Sequence, residues 1–272
     1  MEVGELKFLK NMKINKISIL SLVTLILLAT TLMFFVGSNL SIADNNPPKK
    51  EADIYDYTGE GIQYLISPLG RSEYHNLGMV NFNGIKLNLV TLSYKVLFVD
   101  SVENIYSDPE SLLPYKIERT ISKLWWKEYI TEEYDQKKFT VVIKKFKGKK
   151  LVKEDIVKAN GPIQNLILSF FYLRRYPDFK IGWNFTVRVL AEFKFATTEF
   201  KLELVSIDKI SVPAGKFQAY HFKSIPAKFE IWINKNSPQV PLKIKLKSIF
   251  DCLVLIKKYS LNNHSPKIEA KP

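Results

Sequence analysis

The side chains that could carry out acid–base or metal chemistry are few and scattered. The three histidines, His75, His221 and His264, lie far apart, and none has the spacing of a metal-binding motif such as H-E-x-x-H. No G-x-S-x-G segment offers a serine nucleophile. Cys252, the single cysteine, lies among apolar residues, which indicates a small core residue. The sequence therefore predicts no catalytic set, no metal site and no cofactor, and we expect a protein that is not an enzyme.

One acidic group has a spacing that could serve acid–base chemistry or bind a cation. It consists of Glu132, Glu133 and Asp135, which follow one another almost directly. Charged residues in such a run ordinarily face solvent at the end of a strand. The sequence favours that solvated interpretation, and it names no nucleophile–base pair around these carboxylates.

Arg174 follows an almost wholly apolar stretch, residues 163–173, that reads as a helix. A guanidinium near a helix C-terminus interacts favourably with the helix dipole. In the structural interpretation, which we favour, Arg174 satisfies the last carbonyls or pairs with Glu60 or Glu118. In the ligand-binding interpretation, it holds an anionic headgroup at the mouth of an apolar cavity. The residues that these interpretations place in one site are Phe170, Phe171, Tyr172, Arg174, Trp183 and Glu60.

A second basic group crowds one predicted hairpin with Gly148 at its tip. A solvated hairpin explains it, and so does contact with anionic lipid, in which each lysine contributes about 1 kcal/mol. Both interpretations stay open. The lysines that form this candidate membrane-surface contact are Lys144, Lys145, Lys147, Lys149 and Lys150.

One predicted helix positions the Arg174 group. The pattern predicts this helix at about residues 162–176, because Asn160 can cap it, Pro162 suits its first turn and Pro177 ends it. Its apolar residues recur at helical spacing and cover nearly the whole surface. A helix with so little polar face must be enclosed, and strands are what surround it in the sequence.

The rest of the exported chain reads as strands. Residues 183–195 alternate apolar and polar side chains with one exception, which predicts a long strand in a curved sheet. Further strands are predicted at residues 62–66, 85–98, 115–120, 139–146, 200–205, 217–222, 229–233, 242–247 and 249–256. Their short connections indicate antiparallel neighbours. We expect a mainly β domain, an antiparallel barrel or half-barrel of about ten to twelve strands with one buried helix.

The N-terminus carries an export signal. Residues 17–36 form an apolar run of 20 residues, long enough to span a bilayer as a helix, and lysines precede it. Residues 1–43 are therefore either a signal peptide cut before Asp44 or a retained anchor. Residues 44–56 form a linker, residues 57–261 one β domain and residues 262–272 a flexible tail. We expect a periplasmic domain in the cell envelope, anchored in the inner membrane or released after cleavage.

The net charge of the chain limits the classes of partner that we expect. The chain carries +13, of which residues 1–43 hold +2, so the exported part keeps +11. Behind an export signal the expected anionic partners are lipid headgroups, envelope polymers or an acidic protein, and not nucleic acid. The alternative, which we favour, is that dispersed lysines keep a β-rich surface soluble and its edges unpaired.

Several segments together resemble the extracytoplasmic domain of unknown function numbered 3108. The specific ones are the Ile163-Gln164 to Arg174 stretch with Gly182, and the turn at residues 212–217, VPAGKF. The resemblance implies an exported, mostly antiparallel β domain without an established activity. Asn165 departs from it, because the family pattern leads us to expect an acidic residue there that could pair with Arg174.

Three functional hypotheses follow. The first is an envelope protein that binds a lipid-like or apolar ligand, or assists envelope biogenesis. The second is a structural or adaptor module that docks on an acidic partner or a membrane through its basic face. The weakest is an enzyme acting on envelope glycans or lipids.

Overall fold

A computed structural model of the chain describes residues 57–68, 70–176, 178–191, 196–247 and 252–261. The predicted N-terminal helix, the 44–56 linker and the 262–272 tail lie outside these residues. Within the described ranges, no helix has the length and apolarity that crossing a membrane requires.

One antiparallel sheet of fourteen strands makes up nearly all of the described chain. In chain order the strands are β1 (Glu60–Ser67), β2 (Gly70–Phe82), β3 (Ile85–Val96), β4 (Val99–Ser107), β5 (Pro114–Lys123), β6 (Trp126–Asp135), β7 (Thr140–Lys147), β8 (Lys150–Lys158), β9 (Asn184–Ala191), β10 (Ala196–Val212), β11 (Gly215–Ile225), β12 (Phe229–Asn234), β13 (Pro241–Leu246) and β14 (Cys252–Leu261). The mainly β, antiparallel prediction is confirmed. The prediction of ten to twelve strands is wrong, because β2, β4, β6 and β8 were not assigned from their sequences.

The sheet is not closed, so a complete barrel is wrong. Its two edges are β8 and β9, and near the middle of the sheet β1 pairs with β14, where Glu60 lies opposite Leu261. The chain therefore builds one half of the sheet outward from β1 to β8. It then crosses to the opposite edge through residues 159–183 and builds the second half inward from β9 to β14.

The crossing segment contains the helix, which is shorter than predicted. Helix α1 spans Leu166–Tyr172 and continues as a 3-10 turn, Leu173–Arg175. Asn165 caps it, because its Oδ1 accepts hydrogen bonds from Ile167 N and Leu168 N. The predicted cap at Asn160 is therefore wrong, and Pro177 lies outside the described residues.

The residues before the helix are extended because other strands hold their backbone. The Gln164 amide donates to the Arg188 carbonyl at 2.7 Å, within an isolated parallel bridge to β9. The Ile163 amide and carbonyl both bond the side chain of Gln136 in the β6–β7 turn. These bonds compete with a helical turn around Pro162.

Helix α1 lies between two apolar clusters of the sheet. Leu168 and Phe171 belong to one cluster, and Phe170 and Leu173 belong to the other. Phe171 stacks on Tyr74 of β2 with ring centroids 4.1 Å apart, whereas Phe170 contacts Phe229 of β12. The prediction of a buried helix enclosed by strands is confirmed.

Candidate functional site

The guanidinium of Arg174 forms a buried, two-point ion pair with Glu60. Nη1 donates to Glu60 Oε2 at 2.9 Å, and Nη2 donates to Oε1 at 2.8 Å. Nε donates to the Gln239 carbonyl at 3.1 Å, so the side chain is also tied to the loop between β12 and β13. Only 4% of the Arg174 side chain and 0% of the Glu60 side chain are exposed. Of the two carboxylates considered from the sequence, Glu60 is the partner.

Aromatic rings surround this pair. The guanidinium carbon of Arg174 lies 4.5 Å from the ring centroids of both Tyr57 and Phe171. Burial by itself lowers the pKa of Arg174, but the charge and hydrogen bonds of Glu60 outweigh it and raise that pKa. Burial, and then the negative charge of Glu60, raise the pKa of Tyr259 to about 12. The environment therefore stabilises the charged guanidinium and keeps the nearby phenol neutral.

The structure does not bring the predicted ligand-binding residues to one place. Phe171 lies beside Arg174, whereas Phe170 faces the other apolar cluster. Tyr172 and Trp183 belong to an aromatic group on that second side, where Tyr172 packs on Phe185 at 5.8 Å. The ligand-binding role of these residues stays a prediction.

Trp183 sits within this aromatic group. Its ring lies 4.7 Å from Phe179, 5.3 Å from Tyr176 and 6.0 Å from Phe222, between ring centroids. Its indole Nε1 is buried and has no hydrogen-bond partner within the described residues. Dense ring packing explains the position of Trp183 without a ligand.

A second buried ionic group, on β4–β6, was not predicted from the sequence. Arg119 Nε donates to Glu103 Oε1 at 2.7 Å, and Arg119 Nη2 lies 3.5 Å from Glu132 Oε1. The Tyr134 hydroxyl donates to Glu132 Oε2 at 2.5 Å. Glu132 is 2% exposed, so its interpretation as part of a solvated strand end is wrong. Its neighbour Glu133 does face solvent.

A third group surrounds His221 on β11, where acidic residues of β10 and β12 flank the imidazole. Its Nδ1 lies 3.1 Å from Asp208 Oδ2 and 3.2 Å from Ser206 Oγ, and its Nε2 lies 2.8 Å from Glu230 Oε2. The ring stacks on Trp232 with centroids 4.1 Å apart. This group could not be predicted from the sequence, because its members come from three strands.

The His221 group resembles a serine–histidine–acid set in composition but not in proton arrangement. A serine nucleophile must give its proton to the histidine. Here the Ser206 hydroxyl donates to Asp208 Oδ1 at 2.8 Å, and Asp208 also accepts from Trp232 Nε1. Although burial opposes it, hydrogen bonds from Trp232 and Ser206 and the charge of His221 lower the pKa of Asp208. The arrangement suits an ion network that joins strands.

Three neighbouring hairpin turns lie at the same end of the strands β3 to β8. Val96 pairs with Val99, Lys123 with Trp126, and Lys147 with Lys150, and the Val99–Lys123 pair aligns the first two turns. We call this surface the basic–aromatic end. Its members are Leu97, Phe98, Lys123, Leu124, Trp125, Trp126, Lys147, Gly148, Lys149 and Lys150.

Large apolar side chains at this end face solvent. Trp125 is 87% exposed, Leu124 58%, Phe98 50% and Trp126 40%. The Lys123 ammonium lies 4.2 Å from the Trp126 ring centroid. Exposed apolar side chains clustered beside cations mark an interaction surface.

The five candidate lysines divide between this end and the strands. Lys147, Lys149 and Lys150 are exposed at the β7–β8 turn. Lys144 and Lys145 lie farther along β7 and are half-buried, and Lys145 pairs with Glu128 at 2.9 Å. Membrane contact by these lysines stays a prediction.

A comparison with protein families shows to which family the chain belongs. The model of a family described as "Protein of unknown function (DUF3108)" matches residues 83–251. The chain belongs to this family. The resemblance noted from the sequence is therefore confirmed. No curated protein matches the chain.

One solved structure that is similar to this DUF3108 chain is the crystal structure of a β-barrel-like protein of domain of unknown function DUF1849 from Brucella abortus. It shares 8% sequence identity, with a TM-score of 0.48, over 75% of this chain and 98% of that chain. The DUF3108 match itself includes Arg174, Arg119, His221 and Trp125 and begins after Glu60.

Proposed function

We propose that this DUF3108 chain is an exported envelope protein that docks on an anionic membrane surface through its basic–aromatic end and catalyses no reaction. The observation that carries the proposal is Trp125, 87% exposed at a hairpin tip beside Leu124 and next to the lysine-rich β7–β8 turn. Exposed to water, these apolar side chains are not buried, whereas the interface of a bilayer can bury them.

The chemistry of the tip matches the headgroup region of a bilayer. An indole ring has an apolar body and a polar N–H, and tryptophan is accordingly enriched at the membrane–water interface. Lys147, Lys149 and Lys150 are exposed on the next turn at this end, two strands away from the turn that carries Trp125. Each contributes about 1 kcal/mol near an anionic surface. Insertion of the rings and attraction of the lysines thus act on the same end of the sheet.

Export and anchoring are part of the proposal. The apolar run 17–36 with preceding lysines supports a segment that directs residues 44–272 out of the cytoplasm and, if retained, holds them near a membrane. A role in envelope biogenesis is consistent with this position.

The lipid-carrier hypothesis placed Arg174 at the mouth of a cavity, but its guanidinium is occupied by Glu60 and Gln239. The membrane-docking form of the adaptor hypothesis is therefore preferred.

Quenching of tryptophan fluorescence by brominated lipid tests docking in the full chain. The chain is reconstituted into vesicles of phosphatidylcholine with or without phosphatidylglycerol, with bromine on the acyl chains. We expect quenching to increase with phosphatidylglycerol, to fall with added salt and to be reduced in Trp125→Phe, with Trp126 at the same end accounting for the remainder. Trp183→Phe is the matched control, because the Trp183 ring packs against Tyr176, Phe179 and Phe222 and does not belong to the basic–aromatic end.

Two double charge-reversal variants test whether the lysines at this end take part in docking. Lys149→Glu with Lys150→Glu should reduce the quenching, whereas Lys209→Glu with Lys216→Glu, also exposed lysines, should not. Equal quenching of the wild type and Trp125→Phe would refute docking through this end.

A further inference from the structure

His221 on β11 places both nitrogens of its ring against oxygen atoms of the two neighbouring strands. Its Nδ1 lies 3.1 Å from Asp208 Oδ2 and 3.2 Å from Ser206 Oγ on β10, and its Nε2 lies 2.8 Å from Glu230 Oε2 on β12. His221 is 8% exposed, so these protein groups, and not bulk water, determine which protons the ring carries. The indole of Trp232, stacked at 4.1 Å, holds the ring in this orientation.

The oxygens that face the ring accept hydrogen bonds and have no proton to give it. The Ser206 hydroxyl donates its proton to Asp208 Oδ1 at 2.8 Å, so only its lone pairs remain for His221. Glu230 Oε1 lies 2.8 Å from the Lys247 ammonium. Although burial opposes it, the hydrogen bonds from Lys247 and His221 lower the pKa of Glu230. The pKa of Asp208 is lowered as well, so both carboxylates are ionised at neutral pH and act as acceptors only.

A neutral imidazole cannot make both contacts. One of its nitrogens carries a proton and the other a lone pair, and a lone pair that faces a carboxylate repels it. The imidazolium ion carries a proton on each nitrogen and donates to both sides. We propose that His221 is a pH-sensitive clamp, doubly protonated when it joins β10 to β12 and released when it loses one proton. The clamp does not depend on membrane docking.

Charges of both signs surround the imidazole. The charged residues in the cross-strand rows that contain His221 or adjoin it, and the lysine that follows β13, are Glu203, Asp208, Lys223, Glu230, Lys243, Lys245 and Lys247. The lysines oppose a further positive charge, but Lys247 lies against the far oxygen of Glu230, and Lys243 lies 4.3 Å from the ring centroid of Trp232. The two carboxylates contact the ring itself and act at shorter distance, so they favour its charged form.

The clamp secures the second half of β10. Strand β9 pairs with residues 196–203 only, whereas β11 pairs with β10 as far as Val212. Among the described strands, residues 206–212 therefore pair with β11 alone, and the Asp208–His221 contact adds a side-chain link to this stretch. Segments with fewer backbone bonds open first. Deprotonation of His221 should therefore loosen residues 206–212 before the rest of the sheet.

The effect of pH follows from the charge of the ring. Histidine changes its charge between about pH 5 and 8. The two bonds of His221 form with the charged ring, so their stabilisation is present at the acid end of this interval and is lost as the pH rises. Asp208 and Glu230 stay ionised throughout the interval, because their pKa values are lowered.

Nitrogen NMR of the full chain in detergent micelles, with isotope-labelled histidine, measures the protonation of the ring directly. The chain has three histidines, and the spectrum of His221→Gln identifies the His221 signals by their loss. Both nitrogens should be protonated at about pH 5, and one should have lost its proton by about pH 8. A neutral ring at the lower pH, or a charged ring at the higher one, overturns the proposal.

Hydrogen exchange of the full chain in micelles tests what the clamp holds. Protection of the amides of residues 206–212, corrected for the intrinsic pH dependence of exchange, should fall several-fold between about pH 5 and 8. His221→Gln should lose this pH dependence, because an amide side chain does not titrate. His75→Gln is the matched control and should retain it, since His75 lies 3.5 Å from Glu73 with side chains that are 46% and 40% exposed.

Glu230→Gln is a second variant in case His221→Gln does not fold. The new amide can donate to a neutral Nε2, so the charged ring is no longer required there and the fall in protection should shrink. Constant protection of the wild type across the interval, or an equal fall in the wild type and in either variant, overturns the proposal. These measurements use no vesicles, so a failure of membrane docking would leave the clamp unaffected.

Discussion

Arg174 and Glu60 are 114 residues apart in the chain and face each other through two parallel hydrogen bonds of 2.9 and 2.8 Å. Glu60 begins β1 in the middle of the sheet, and Arg174 follows the helix in the segment that joins the two edges. This pair therefore fastens the crossing segment to the central strand. Its burial makes it sensitive to the loss of either partner.

Removing one member of the pair should be costly. Arg174→Gln leaves the Glu60 carboxylate buried without its cation, and breaking such a pair costs about 3–5 kcal/mol. Denaturant unfolding measures this loss. Asp100→Asn is the control, because its partner Lys95 lies at 3.2 Å with both side chains 52% exposed, and such pairs contribute about 1 kcal/mol or less. Similar losses in the two variants would contradict the role assigned to Arg174.

The helix should depend on Phe170. This ring is 2% exposed and packs on Phe229, so Phe170→Ala should lower the free energy of unfolding by about 3–5 kcal/mol. Ile181→Ala, at a position 69% exposed, should change it by less than about 0.5 kcal/mol. A loss below about 1 kcal/mol in Phe170→Ala would place the helix on the surface.

Alkaline pH should weaken the surroundings of the Arg174–Glu60 pair, because Tyr259 lies there. The pKa of Tyr259 is raised from 10.0 to about 12, so the folded state holds this proton more tightly than the unfolded state does. Its contribution to stability is therefore complete below pH 10 and is lost as the pH rises through 12. Urea unfolding across this interval should show a smaller decline for Tyr259→Phe than for the wild type. Parallel declines would rule out this linkage.

Ser206 should not react as an activated nucleophile. Its proton is directed to Asp208 at 2.8 Å, so a fluorophosphonate probe should leave it unlabelled, as judged by mass spectrometry of the digested protein. Ser111, a partly exposed serine whose hydroxyl also donates to an aspartate, should behave in the same way. Selective labelling of Ser206 would favour the enzyme hypothesis.

A topology reporter checks export. A periplasm-dependent reporter fused after Asn45 should be active, and a cytoplasm-dependent reporter at the same position should be inactive. The reverse pattern would overturn the assignment of residues 17–36 as an export signal.

Alternation of side chains predicted most of the fold, and it failed where charges replace apolar residues on the inner face. Residues 184–189 alternate between polar and apolar side chains, and Phe185, Val187 and Val189 are all buried. On β4 and β6 the inward positions include Glu103 and Glu132. A pattern based on hydrophobicity cannot distinguish such strands from solvated loops, so both the strands and the ionic group escaped notice.

The candidate pairing of Arg174 with Glu60 was accessible from the sequence, because an apolar segment ending in arginine needs a carboxylate nearby. The length of the helix was not. Helical spacing extends back to Ile163, but its amide donates to Gln136 Oε1 and its carbonyl accepts from Gln136 Nε2, and these bonds hold the backbone extended. Tertiary contacts of this kind have no local signature.

The pairing of β1 with β14 has a consequence for the order in which the molecule can assemble. Gly61 and Ser260 meet across 199 residues, so the first strand of the sheet acquires its second neighbour only when the last one arrives. Contacts this distant in sequence slow folding, and a strand waiting with one open edge invites pairing with other chains. A chain that is synthesised from its N-terminus would leave this edge of β1 unpaired until β14 has been made.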